Sequence, residues 1–194
     1  LLLYQLVLVL AFDYDIQIMD IGAMIDKLSG DLGDKAYEVS DSLARIGTQE
    51  VLEAMIVLLK NANPESRYMA ARTLGLMEDN EGGLAAVFEA IKDKENQNQV
   101  GELLSVLEGF DVSEYYVALF KLYLFGNFKV SMIAKDLLDH KDFDITHRVI
   151  KKATKHWNHY SNNVKHDELY ELKKIEVEEI FDDLSDFLDD KQVM

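Results

Sequence analysis

The sequence predicts an all-α protein in which about four helix pairs stack side by side as a solenoid, flanked by a helix or helices at each end. Three observations carry this. Apolar residues recur at spacings of three and four through most of the chain, which is the period of one face of an α-helix. A single proline among 194 residues, with few alternating β-branched stretches, speaks against a sheet. Most directly, two ladders of apolar residues repeat about every 31 positions, a period that belongs to arrays of helical hairpins.

The chain opens with Leu1 to Phe12, in which only Gln5 is polar. Twelve residues are too few for a bilayer-spanning helix, which needs about 20, and no basic flank marks a signal peptide. The run is read as a helix buried against the first repeat. A remnant of a membrane or secretion segment and a contact between protomers are the alternatives, and the missing initiating methionine fits a fragment. Asp13 to Leu28 carries Ile18, Ile21, Ile25 and Leu28 at helical spacing and makes a second helix. Residues 1–33 thus form an N-terminal helical cap that ends in a loop marked by Gly30 and Gly33.

The repeats follow over 34–157, as pairs at about 34–60, 63–93, 95–125 and 128–157. The second is the clearest. Asn63 is placed to cap a helix whose first position is Pro64, where a missing N–H costs nothing, and Glu65 suits the positive helix end. Met69, Ala70, Thr73, Leu74 and Met77 then lie on one face, Asp79 and Asn80 break the helix, and Leu84, Val87, Phe88 and Ile91 make the next apolar face. In the first helices of successive pairs, Leu43, Leu74, Leu104 and Leu137 correspond at intervals of 31, 30 and 33 residues. Three residues before each stands a small side chain or none: Ser40, Ala71, Gly101 and Ala134. In the second helices Ile56, Phe88, Phe120 and Ile150 correspond at intervals of 32, 32 and 30. Gly47, Gly109 and Gly126 fall near turns, where a left-handed residue is cheap.

Residues 44–60 and 63–75 together resemble the short HEAT-like repeat of the phycobilisome-lyase type, through the Pro64 and Arg67 spacing, the Ala70–Ala71 pair and Leu74–Gly75. The resemblance is good from about 34 to 93 and fair to about 126; the fourth unit lacks the proline and the glycine after the leucine. It implies a right-handed superhelix of antiparallel helix pairs, and most proteins with such repeats are interaction scaffolds. Lyase activity does not follow, because fold-level analogy is weak evidence for chemistry.

In this architecture the second helices line the concave surface, so their outward positions are the candidate contacts. Glu53 aligns with Ala85, and Val57 with Glu89, Lys121 and Lys151, a row that changes from acidic to basic along the stack. Among the aromatic residues from Tyr115 to Phe128 most read as packing, and Tyr115 as concave. The partner-binding candidates are therefore Glu53, Glu89, Tyr115, Lys121, Arg148, Lys151 and Lys155, either as a graded groove for a peptide or as a solvated face.

Residues 140–166 depart from the overall acidity with a local excess of four positive charges, and hold all five histidines. His156 and His159, three apart on a helix, could hold a metal with Asp144 or His166, although histidines on a basic helix more often face water. No metal or other cofactor is expected. The last 28 residues carry 11 acidic and 3 basic side chains, yet Leu169, Leu172, Val177, Ile180, Phe181, Leu184, Phe187 and Leu188 make an apolar stripe. Residues 158–194 are thus a loop and an acidic amphipathic helix, either capping the last repeat or detachable from it.

The absence of cysteine removes disulfides and thiolate metal sites, and the net charge of −16 would repel phosphate backbones, which disfavours nucleic acid. No phosphate-binding glycine loop and no nucleophile beside a base is visible, so no catalytic residue is assigned. The expectation is a cytoplasmic, non-catalytic scaffold that binds a protein or peptide on the concave face. The alternatives are a chromophore-lyase-like or other HEAT-repeat enzyme subunit, and an oligomerising module.

Overall fold

The computed structural model describes residues 21–30 and 32–193. The expectations for Leu1 to Phe12, and for the Ile18 end of the following helix, lie outside these residues. Among the described residues the chain is all-α, with ten α-helices and no strand. It divides between Phe110 and Asp111 into two compact units.

The first unit contains α1 (Ile21–Ser29), α2 (Ala36–Ile46), α3 (Gln49–Leu58), α4 (Pro64–Leu76), α5 (Glu81–Lys92) and α6 (Val100–Ser105), with 3-10 turns at Lys94–Asn96 and Val106–Gly109. Its helix ends follow from local chemistry. The Asn63 side chain accepts from the Glu65 N–H at 2.9 Å with Pro64 just inside the helix, and Thr48 caps α3 in the same manner through the Val51 N–H. Gly47 closes α2 in the left-handed conformation, φ 56°, its N–H donating to the Leu43 carbonyl at 3.0 Å. First helices pack on first helices, α2 on α4 and α4 on α6; second helices pack likewise, α3 on α5.

Leu43, Leu74 and Leu104 are fully buried, and Ser40, Ala71 and Gly101 beside them are buried too. Polar links cross from one repeat to the next. Arg72 reaches back to Asp41 (2.7 Å) and Ser40 (2.9 Å), and Ser40 shares a buried hydrogen bond with Thr73 at 2.9 Å. Arg67 donates to Gln99 through two nitrogens, while Asn61 donates to the Ser29 carbonyl. The buried hydroxyls of Ser40 and Thr73 thereby satisfy each other across adjacent repeats.

The second-helix ladder holds at Phe88 and Phe120, both buried, and needs correction at Ile56. Ile56 is only half-buried, whereas Met55, Val87 and Leu119 are all at 0% exposure and stand 32 residues apart. Leu59, Ile91 and Tyr123 keep the same interval and are also buried. Stepping back 31 residues from Met55 and Leu59 gives Met24 and Leu28, the buried residues of α1. Since α1 packs on α2 and α3, it has the register and neighbours of a second helix and is part of the layered array. The glycine expectation is corrected at two positions: Gly109 and Gly126 do not have positive φ. Their constraint is space. A Cβ at Gly109 would collide with the Gly75 carbonyl, and one at Gly126 would lie 2.5 Å from the Leu122 oxygen.

The second unit begins with a 3-10 turn, Ser113–Tyr115, and holds α7 (Tyr116–Phe125), α8 (Phe128–His140), α9 (His147–Asn163) and α10 (Glu168–Val193). Asn127 and Thr146 cap α8 and α9 through the Val130 and Val149 N–H groups. α7 is central and packs against both α8 and α9. Leu137 and Ala134 are buried as expected, but Ile150 is half-buried, and Ala153 is the buried residue of α9.

α10 docks by a mixed seam. Phe181 meets Phe120 at 5.6 Å, and the Tyr123 hydroxyl donates to Glu176 at 2.5 Å. Lys173 donates to the Tyr123 carbonyl (2.7 Å) and Ser131 (2.9 Å), its ammonium 4.3 Å from the Tyr123 ring centroid. Burial pulls the Lys173 pKa down, and Glu176 acts in the opposite direction. The expected apolar stripe is split. Tyr170, Val177 and Leu188 are buried, whereas Leu169 and Leu172 point to solvent at 76% and 61% exposure.

Candidate functional site

The surface of the second-helix layer is the candidate site, because its side chains border two clefts in the first unit. In the first unit one cleft of about 1020 Å³ runs between α1 and α3, lined by Ile25, Ser29, Glu50, Glu53, Ala54, Ile56, Val57 and Lys60 among others. A second, of about 600 Å³, runs between α3 and α5 and is lined by Ile56, Lys60, Ala86, Glu89, Lys92 and Asp93 among others. The two share Ile56 and Lys60. Their floor is apolar and their rim charged, the mixture that ligand clefts use.

The packing of α3 explains the cleft. Val51, Leu52, Met55 and Leu58 face the core, which leaves Glu53 and Val57 on the opposite side. Val57 is 72% exposed and presents its apolar side chain on the cleft lining. Glu53 is held by Gln49, whose amide donates to it at 2.8 Å. Glu89 accepts from Lys92 at 2.8 Å, a surface pair of little energetic consequence. Two of the seven candidates, Glu53 and Glu89, therefore line this continuous surface.

The other five lie in the second unit. Lys121 and Lys155 line one pocket of about 410 Å³ between α7 and α9, together with Phe125, His156 and His159. Arg148 and Lys151 are exposed on the first turns of α9, away from that lining. Tyr115 is half-buried at the end of the 3-10 turn preceding α7.

Two of the histidines, His159 and His166, make contacts within the second unit. His166 lies flat on Tyr170 at 3.8 Å, with Trp157 stacked beyond it at 6.0 Å from Tyr170. The Asn163 amide stands 3.3 Å from His159 Nδ1. Burial, then Lys121, Lys155 and His159, push the His156 pKa below its ordinary value. Among the described residues no group of three or more His, Cys, Asp or Glu could hold a metal ion. No described helix is long and apolar enough to cross a membrane.

Sequence reasoning found the rim and missed the floor. Ile25, Ala54 and Ala86 were not singled out for the cleft, although small and apolar residues at helical positions outside the buried set were the available signal. Phe125, within the aromatic run expected to pack, is 43% exposed and forms a pocket wall.

Residues 23–108 match the family model of HEAT repeats. The matched stretch takes in nearly all of α1 and continues through α6 into the following 3-10 turn, which is the layered array of the first unit. A comparison with curated proteins returns no match, and neither does one with solved structures.

Proposed function

We propose that this protein is a non-catalytic interaction scaffold that holds a peptide or protein segment along the second-helix surface of its first unit. HEAT repeats are generally protein-interaction scaffolds, and the match to them covers the helices that form this surface. The observation that carries the proposal is Val57, 72% exposed within a cleft whose floor continues through Ile25, Ala54 and Ile56. An apolar strip with a charged rim suits a segment that buries a few side chains and pairs its own charges at the edge. Glu50, Glu53, Glu89 and Asp93 outnumber Lys60 and Lys92 along the two clefts, so the favoured segment is apolar with Lys or Arg flanks. The resemblance of residues 44–75 to the phycobilisome-lyase type of repeat adds no reacting group to this surface.

Selection of a random peptide library on the intact chain tests the proposal. Enriched peptides should combine apolar and basic residues, and Val57→Glu should weaken them by about tenfold or more, as loss of a central apolar contact does. Enrichment that survives both Val57→Glu and Glu53→Lys would overturn it. Lys121→Glu and Lys151→Glu, made in the same chain, report whether the second unit takes part.

A further inference from the structure

The pocket between α7 and α9 has a composition at odds with the rest of the protein. Lys121 and Phe125, four residues apart, lie on one face of α7; Lys155, His156 and His159 come from α9. Among the described residues no acidic side chain lines the pocket, in a chain with a net charge of −16. Each of its polar side chains is a cation or an imidazole, and no ion pair of Lys121 or Lys155 balances them among those described.

The recess is open to solvent, with Lys121, Phe125, Lys155 and His159 exposed, and its aromatic side is held by ring contacts. Phe125 is braced edge-on against Tyr160 at 5.5 Å and lies 5.9 Å from the His159 ring. Trp157 stacks on Tyr160 at 5.8 Å, backing the same wall. The Asn163 amide, which also donates to the His159 carbonyl at 2.7 Å, stands beside His159 Nδ1. When Nδ1 accepts from that amide, the ring proton sits on Nε2 and His159 is a hydrogen-bond donor even when neutral. A volume of about 410 Å³ holds a small group and part of an organic body.

We propose that this pocket binds a phosphate monoester, the phosphoryl group held by Lys121, Lys155 and the two imidazoles and the organic body resting on Phe125. A monoester near neutral pH carries close to two negative charges and three acceptor oxygens. That suits a lining of two ammonium groups and two imidazoles better than a carboxylate, which brings one charge and two oxygens. The exposed face of Phe125 gives a flat or apolar ester group a surface that inorganic phosphate cannot use. The source is either a phosphorylated side chain of a partner or a free small monoester; both present the same group. This site is separate from the cleft proposed above, and either can fail without the other.

The test is titration of the intact chain at fixed ionic strength with phenyl phosphate, inorganic phosphate and phenylacetate, followed by calorimetry and by the histidine ring resonances. Phenyl phosphate should saturate one site and move the His156 and His159 signals, binding about tenfold tighter than either control. Lys121→Ala and Lys155→Ala should each weaken it about tenfold. Phe125→Ala should abolish the preference over inorganic phosphate while leaving phosphate binding intact. Lys152→Ala, on α9 but outside the lining, should change nothing. Helical circular dichroism of each variant checks that it is folded. A phosphotyrosine peptide binding at least tenfold tighter than phenyl phosphate assigns the source to a partner chain, and equal binding assigns it to a free monoester; both support the site. Equal affinity for phenyl phosphate and phenylacetate, or an effect of Lys152→Ala as large as that of Lys155→Ala, would overturn it.

Discussion

Gly109→Ala and Gly75→Ala together probe how closely consecutive repeats approach. Gly75 lies in α4 and Gly109 in the 3-10 turn that follows α6. A Cβ on Gly75 would stand 2.8 Å from the Val106 carbonyl oxygen and 3.4 Å from a Phe110 ring carbon. Relief requires a shift of about half an ångström, and overpacking of this kind costs about 1–3 kcal/mol. Replacing a helical glycine with alanine returns at most about 1 kcal/mol, and Gly75 is next to the last residue of α4. The net expectation for Gly75→Ala is a loss of up to about 2 kcal/mol. Gly109→Ala is worse. Its Cβ would run into the Gly75 carbonyl group, with the carbonyl carbon at 2.7 Å and Cα at 3.1 Å. Both sides of that clash are backbone, so no side-chain rotation absorbs it. The loss should reach or exceed the top of the overpacking range, about 3 kcal/mol, a large part of the 5–15 kcal/mol typical of a domain. Urea unfolding followed by far-ultraviolet circular dichroism measures it. The single tryptophan, Trp157, lies in the second unit, so its fluorescence reports that unit separately. A Gly109→Ala protein within about 0.5 kcal/mol of the parent, or one more stable than Gly75→Ala, would refute the reasoning.

Three further outcomes are expected. Leu74→Ala, at a fully buried position, should cost about 2–5 kcal/mol in the same assay, and a cost near zero would mean the ladder register is wrong. Tyr123→Phe removes the hydroxyl that donates to Glu176 and should cost about 1–2 kcal/mol, with faster proteolysis within α10; an unchanged digestion rate would show that this bond does not hold the helix. His156 has a folded-state pKa below its unfolded value. As pH falls through the region near 6.5 the unfolded chain takes up the proton first, so stability is greatest above that region and declines until the pH passes below the folded pKa. His156→Gln should flatten this part of the stability curve between about pH 7 and 5, and an unaltered curve would assign the slope to other groups.

The sequence made the first helices legible because they repeat by packing. Leu43, Leu74, Leu104 and Leu137 sit where two layers meet, and the residue three before each must be small for neighbouring helices to close. In the second helices the ladder is one position off at Ile56, beside the buried Met55. Bulky Ile and Phe residues were matched by type there, whereas the buried row Met55, Val87 and Leu119 is set by distance along the chain. α10 shows another limit. Helical spacing alone grouped Leu169 and Leu172 with Val177, but docking at Tyr123, Ser131 and Phe120 selects a different edge of the helix. The role of Lys173 had no signal in a one-dimensional reading, because its partners are a backbone carbonyl and a serine more than 40 residues earlier. Of the candidate site, charged rim positions such as Glu53 and Glu89 could be found by alignment. The pockets they border depend on which apolar residues are left over after packing, and that is decided in three dimensions.

The reach of the polar links in the first unit bears on how the chain assembles. Arg72 to Asp41, Arg67 to Gln99 and Asn61 to Ser29 span 31, 32 and 32 residues, so each closes a loop of one period and no more. Loops of this length close at modest entropic cost, and a topology made of them has its strongest pairings between near neighbours. Such a unit can acquire order segment by segment as it leaves the ribosome, each hairpin finding its seat on the one already formed, without waiting for a distant stretch to be synthesised.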